Sequence, residues 1–160
     1  MQKLEITLLL LVVIIMIAGC TGQALLEEQN LKNLAANKLD KEAGELTKED
    51  LQQIKNLKVT GPEGVDVQAV KSLTGIKYLS QLKALSLKGN KIMDITPLKD
   101  LTELRYLDLS NNQIKDIKTL SNLDKLMYLD ISNNDLDISS GSETMKIIKK
   151  LRKKGTKVRY

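Results

Sequence analysis

LRYLDLSNNQIKDIKTLSNLDK, Leu104 to Lys125, is a 22-residue phrase that the chain writes nearly three times over. Before it stands LKALSLKGNKIMDITPLKDLTE (Leu82 to Glu103), and after it LMYLDISNNDLDISS (Leu126 to Ser140). The apolar residues keep one phase throughout: Leu82, Leu85, Leu87, then Leu104, Leu107, Leu109, then Leu126, Leu129, Ile131. An asparagine follows at fixed distance as Asn90, Asn112 and Asn134, and the next apolar residue falls at Ile92, Ile114 and Leu136.

Self-similarity at this period, spelled L-x-x-L-x-L-x-x-N-x-L, is the signature of a leucine-rich repeat solenoid. One such coil cannot bury its own apolar residues, so neighbours must stack to make a continuous core. Alternation places a short strand at Leu85 to Leu87 and its equivalents, with every second side chain inward. Asn90, Asn112 and Asn134 end those strands and are expected to form a ladder, their amides turned inward to satisfy backbone groups at the bend. The fold class is therefore an α/β solenoid of about four coils with a helical cap in front and a helix-strand cap behind.

Composition narrows the function. The chain has 160 residues, no histidine, no tryptophan, one cysteine and only four tyrosines among its aromatics. Disulfide frameworks, Cys/His zinc sites, Ser-His-Asp triads and Cys-His dyads are all excluded. No cofactor, no metal and no catalytic residue are expected, and the protein reads as a non-enzyme.

Taken in order, the chain opens with an apolar run from Leu8 to Ala18, short for a membrane span but right for the core of a secretory signal. The run ends in Ile17-Ala18-Gly19-Cys20, which resembles the bacterial lipobox. Cys20 has three readings: an incidental cysteine, part of an uncleaved anchor, or the lipidated N-terminus of the mature protein. Its place at the end of a signal-like segment favours lipidation. From Thr21 to Gly44 the repeat is absent, and Leu25, Leu31, Leu34 and Leu39 make only a diluted helical stripe. A loosely amphipathic helix, a flexible tether, or a helix docked on the first coil would each fit.

Thr47 and Asp50 then have the shape of a capping box, followed by Leu51, Ile54 and Leu57 at helical spacing. A strand is expected near Lys58 to Thr60. The segment GPEGVDVQA, residues 61–69, lengthens this first coil and reads as a Gly/Pro-marked loop. At the far end Ser142 is placed to cap a helix reaching about Lys154, Gly155 to stop it, and Thr156 to Tyr160 to add an edge strand. The divisions are 1–19, signal peptide; 20–45, lipidated N-terminus and tether or helix; 46–81, cap and irregular first repeat; 82–138, repeats; 139–160, closing cap.

The run Asn90, Ile92, Asp94, Ile95, Leu98, Leu101 resembles the 22-residue repeats of the bacterial internalin family, and VKSLTGIKYLSQL (Val70 to Leu82) resembles the stretch that opens the internalin array. Leu46 to Leu57 is similar to the helical cap in front of it. The resemblance implies this fold and a binding role without catalysis.

By phase, the outward face of the strands carries Asn56, Lys58, Ala84, Ser86, Lys88, Tyr106, Asp108, Ser110, Tyr128, Asp130 and Ser132. Lys58, Ser86, Lys88, Tyr106, Asp108, Tyr128 and Asp130 are the candidate ligand-binding residues, Tyr106 and Tyr128 first among them because tyrosine is enriched among interface anchors. The other reading of the two tyrosines is a cross-strand pair that packs only on itself. From Lys146 onward there are eight basic residues and no acid. Lys149, Lys150, Arg152, Lys153, Lys154, Lys157 and Arg159 form a candidate basic patch for an anionic surface.

The expected protein is thus a monomeric surface lipoprotein, held in a cell membrane or outer membrane by acylated Cys20, facing the periplasm or exterior and binding an unidentified protein partner. Nucleic acid is not expected as a ligand. The alternative is an envelope scaffold or spacer that grips an anionic polymer or membrane surface through its basic C-terminal end.

Overall fold

The computed structural model describes residues 29–58 and 70–160. The signal-like segment, Cys20 and the 60–69 excursion lie outside the described residues.

Five three-residue strands make one parallel sheet in chain order: β1 (Asn56–Lys58), β2 (Ala84–Ser86), β3 (Tyr106–Asp108), β4 (Tyr128–Asp130) and β5 (Lys157–Arg159). Their central residues, Leu57, Leu85, Leu107, Leu129 and Val158, lie in register and point into the core. The pairing runs past the short strands: Leu87 N–H donates to Asp108 C=O at 2.8 Å, and Leu109 N–H to Asp130 C=O at 2.8 Å. Such a solenoid follows from the phrase itself, since each leucine set is dry only when the next coil covers it.

The return half of each coil is a 3-10 turn, at Ile76–Tyr78, Thr96–Asp100 and Lys118–Asn122. In the two regular coils an aspartate starts it: Asp94 accepts from the Thr96 N–H at 2.8 Å, and Asp116 from the Lys118 N–H at 2.7 Å. This local bond competes with longer-range backbone pairing and so fixes where the chain bends. Leu98 and Leu120 are buried beneath these turns. Successive turns pack side by side, and the helix Glu143–Lys153 takes the last place in that row.

The front end holds two helices, α1 (Gln29–Leu39) and α2 (Lys48–Gln53). Of the options open for residues 20–45, the part from Gln29 onward takes the docked form. Leu31 and Ala35 are fully buried in the same hydrophobic cluster as the repeat leucines. The capping box at α2 is complete, with the Asp50 N–H donating to Thr47 Oγ1 and the Thr47 N–H to Asp50 Oδ2. Lys41 adds two contacts of 2.8 and 2.9 Å to the same carboxylate. Held first by Lys41 and then by the Thr47 groups, the Asp50 carboxyl is lowered to about 2.

The cap helix is shorter than the 46–57 stretch suggests. Ile54 is already extended, and Leu57, instead of completing a helical stripe, is the inward residue of β1 opposite Leu85. The strand therefore begins at Asn56, two residues earlier than the sequence implied.

At the back end α3 (Glu143–Lys153) starts at Ser142, whose hydroxyl accepts the Met145 N–H at 3.2 Å. Ile147, Ile148 and Leu151 close the core. Gly155 sits at φ 95°, in the left-handed region that glycine enters without strain, and turns the chain into β5. The buried Thr156 hydroxyl donates to the Leu126 carbonyl at 2.7 Å, anchoring that turn to the preceding coil.

Candidate binding face

Strand register arranges the outward side chains in two rows. One runs Asn56, Ala84, Tyr106, Tyr128, Lys157; the other runs Lys58, Ser86, Asp108, Asp130, Arg159. Every member is set by its parity on a strand whose neighbouring residue is a buried leucine or valine.

Tyr106 and Tyr128 are stacked, with ring centroids 4.8 Å apart and planes 7° from parallel. Tyr106 is 42% exposed, whereas Tyr128 is half-buried. Partial burial, then the negative charge of Asp108, raises the Tyr106 hydroxyl above its ordinary value.

The two aspartates are tied down rather than displayed. Asp108 Oδ1 accepts from both the N–H and the hydroxyl of Ser110, at 3.0 and 2.7 Å. Asp130 Oδ1 takes the same pair from Ser132, at 3.0 and 2.6 Å. Asp130 Oδ2 faces Arg159 at 3.6 Å and the Tyr128 hydroxyl at 3.4 Å. Asp130 and Ser110, placed outward by phase, are buried, because these bonds fold the side chains back onto the sheet. Such partners leave little for a cation, and no cluster able to hold a metal occurs among the described residues.

In the coil before, Ser86 and Lys88 stand where the next two coils have Asp and Ser. Lys58 and Lys88 are exposed and have no ion pair among the described residues.

The three asparagines lie behind this face and have structural duties. Asn112 accepts the Ile92 N–H at 3.1 Å and donates to the carbonyls of Leu87 and Leu109, each at 2.9 Å. Asn90 accepts the Val70 N–H at 2.9 Å and donates to Leu87. Asn134 accepts the Ile114 N–H at 3.0 Å and donates to Leu109 and Ile131, each at 3.0 Å.

The basic residues of the closing end are divided between the helix and β5. Arg159 and Lys157 sit on β5 and extend the outward face, and Arg152 donates to the Val158 carbonyl at 3.0 Å and lies 4.9 Å from the Tyr160 ring. Lys154 pairs with Asp124, and Lys150 adds its charge to the field at that carboxylate. Lys149 and Lys153 are exposed on α3 without an ion pair among the described residues. The place of Arg159 opposite Asp130 was the feature that sequence reasoning missed. Leu129 and Val158 are separated by a helix and a turn, so the 22-residue phase carries no information across that gap.

The family described as Leucine Rich repeats (2 copies) matches residues 80–122 and again 102–141. No curated protein matches. Among solved structures, the internalin InlF of Listeria monocytogenes is 35% identical, with a TM-score of 0.64, over 72% of this chain and 33% of its own. Internalin C2 of the same organism is 27% identical, with a TM-score of 0.68, over 85% of this chain and 55% of its own. A leucine-rich repeat protein of Leptospira interrogans follows at 25% identity and a TM-score of 0.53, over 72% and 34%. The chain thus spans about a third to about half the length of these relatives. Its fold is a short leucine-rich repeat solenoid similar to those of the internalins.

Proposed function

We propose that this chain is a surface lipoprotein, moored in a membrane through acylated Cys20, whose repeat domain binds a protein partner without catalysing a reaction. Leucine-rich repeat arrays are protein-binding scaffolds, and their strand face is the extended surface available for contact. The observation that carries the reading is the Tyr106–Tyr128 stack, a large apolar-and-polar anchor at the centre of that face with one tyrosine 42% exposed. Binding proceeds by complementarity on a sheet whose core is closely packed, with little rearrangement.

Capture of envelope proteins by the full chain, compared with a Tyr106→Ala/Tyr128→Ala variant, tests the face. A partner retained undiminished by the double variant would refute it. Anchoring has its own test: Cys20→Ala should leave the protein unprocessed or release it from membranes, since two or more acyl chains give stable attachment where one is marginal.

A second reading rests on the exposed Lys149 and Lys153 of α3. In it the array is a spacer and the basic end grips an anionic polymer or lipid surface. Rising ionic strength separates the two, because screening abolishes association through exposed charges and spares a packed interface.

A further inference from the structure

The tyrosine stack is unfinished at one end. Its repeat of 4.8 Å equals the spacing between neighbouring strands, so each ring stands over its own coil. Beyond Tyr128 the row continues with the long side chain of Lys157, but beyond Tyr106 it continues with Ala84. Alanine is too small to fill the place a third ring would occupy, and in register the next described residue on the far side is Asn56, two strand spacings or roughly 10 Å from Tyr106. The result is a slot floored by Ala84 and Ser86 and walled by the open face of Tyr106.

Among the described residues the charge around the slot is mostly positive. Lys58 borders Ser86 on the next strand and Lys88 lies two residues along the chain from it, both exposed and without an ion pair among the described residues. Lys83 and Arg105 flank the strands at Ala84 and Tyr106, and the nearby Glu103 is engaged by Lys125. Among the described residues the carboxylate bordering the slot is Asp108, with an oxygen already taken by Ser110.

Building on the sheet-face reading, we infer that this slot receives an aromatic side chain from an acidic segment of the partner, the ring stacking on Tyr106 above Ala84 while flanking carboxylates meet Lys58 and Lys88. Offset stacking favours a planar occupant, and the exposed Lys58 and Lys88 select for negative charge around it.

The chain contains no tryptophan, so an indole brought by a probe reports its own environment. The experiment titrates the full chain into blocked pentapeptides: acidic Asp-Glu-Trp-Glu-Asp, basic Lys-Arg-Trp-Arg-Lys, and the acidic sequence with leucine in place of tryptophan as competitor. The acidic tryptophan peptide should show a saturable emission shift that weakens with salt. The basic peptide and the leucine competitor should bind about tenfold more weakly or worse. Ala84→Phe, which fills the slot, and Lys58→Glu/Lys88→Glu should each weaken binding by about tenfold or more. Tyr106→Leu, which keeps an apolar strand residue, guards against misfolding of the Ala84 variant. Equal binding by Ala84→Phe of unchanged melting, equal binding of the basic peptide, or no acidic binding into the millimolar range would each overturn the inference. If the peptides fail while the double tyrosine variant still loses its captured partner, the sheet face stands and only the partner chemistry falls.

Discussion

The side-chain amide of Asn112 donates to the carbonyl of Leu87, 2.9 Å away and a coil earlier in the chain. With its bonds to Ile92 and Leu109, one side chain satisfies backbone groups on two coils at once. Asn112→Leu keeps the size but orphans the buried Ile92 N–H, at about 1–3 kcal/mol, and leaves the Leu87 and Leu109 carbonyls one donor each, from Asn90 and Asn134. Urea unfolding should show a loss of about 2 kcal/mol or more. Asn134→Leu should cost less, because Asn134 is only half-buried and water can replace part of its bonding.

Acid should loosen the front cap. Asp50 is lowered from 3.8 to about 2 by Lys41 and the Thr47 groups, so the native state holds its proton less readily than the unfolded chain does. Its contribution is fully present above pH 3.8 and is lost as pH falls toward 2. Carboxyl chemical shifts should place its titration below those of exposed aspartates, and Asp50→Asn should remove this part of the acid sensitivity. An ordinary midpoint would show that the Lys41 contact is absent in solution.

The repeat phase made most of the fold legible, because Leu85, Leu107 and Leu129 recur at the period that puts them in register. Legibility failed where the burying residues were small or the phase was broken. Ala35 and Ala36 are buried on α1, yet alanine among asparagines and charges gives no apolar stripe to read. Ser110 and Asp130 have outward parity, but side-chain bonding folds them in, which alternation alone does not encode.

Helix α1 is therefore a working part of the core. Leu31→Ala removes a side chain that is fully buried and should destabilise by about 2–5 kcal/mol, as large-to-small core changes do. A fragment beginning at Leu46 lacks α1 and should melt at lower temperature than a fragment beginning at Gln29. Equal melting would mean that the helix does not dock in solution.

Left-handed backbone recurs once per coil, at Gly89 (φ 72°), Asn111 (φ 57°) and Asn133 (φ 55°). Glycine and asparagine are the residues that enter this region with least strain. Asn111→Ala should lose about 1–2 kcal/mol, and Asn111→Gly markedly less, in paired thermal melts. Equal losses would assign the effect to the Asn133–Asn111 side-chain bond of 3.0 Å rather than to the backbone.

The tyrosine pair offers a way to separate stacking from burial. Tyr106 is 42% exposed, so its truncation removes less buried area than that of Tyr128, which lies between Tyr106 and Lys157 and has its hydroxyl 3.4 Å from Asp130. Tyr128→Ala should therefore cost more stability than Tyr106→Ala. The double variant should cost less than the two losses together, with a coupling of about 0.5–1.5 kcal/mol, the size of an aromatic pair beyond its area. The stack contributes to the fold only through that coupling, and a rigid ring held over its own coil is also a pre-ordered contact for whatever lands beside it. If urea melts of the four proteins give additive losses, the rings do not hold each other in solution, and the wall assigned to the Ala84 slot has no fixed position.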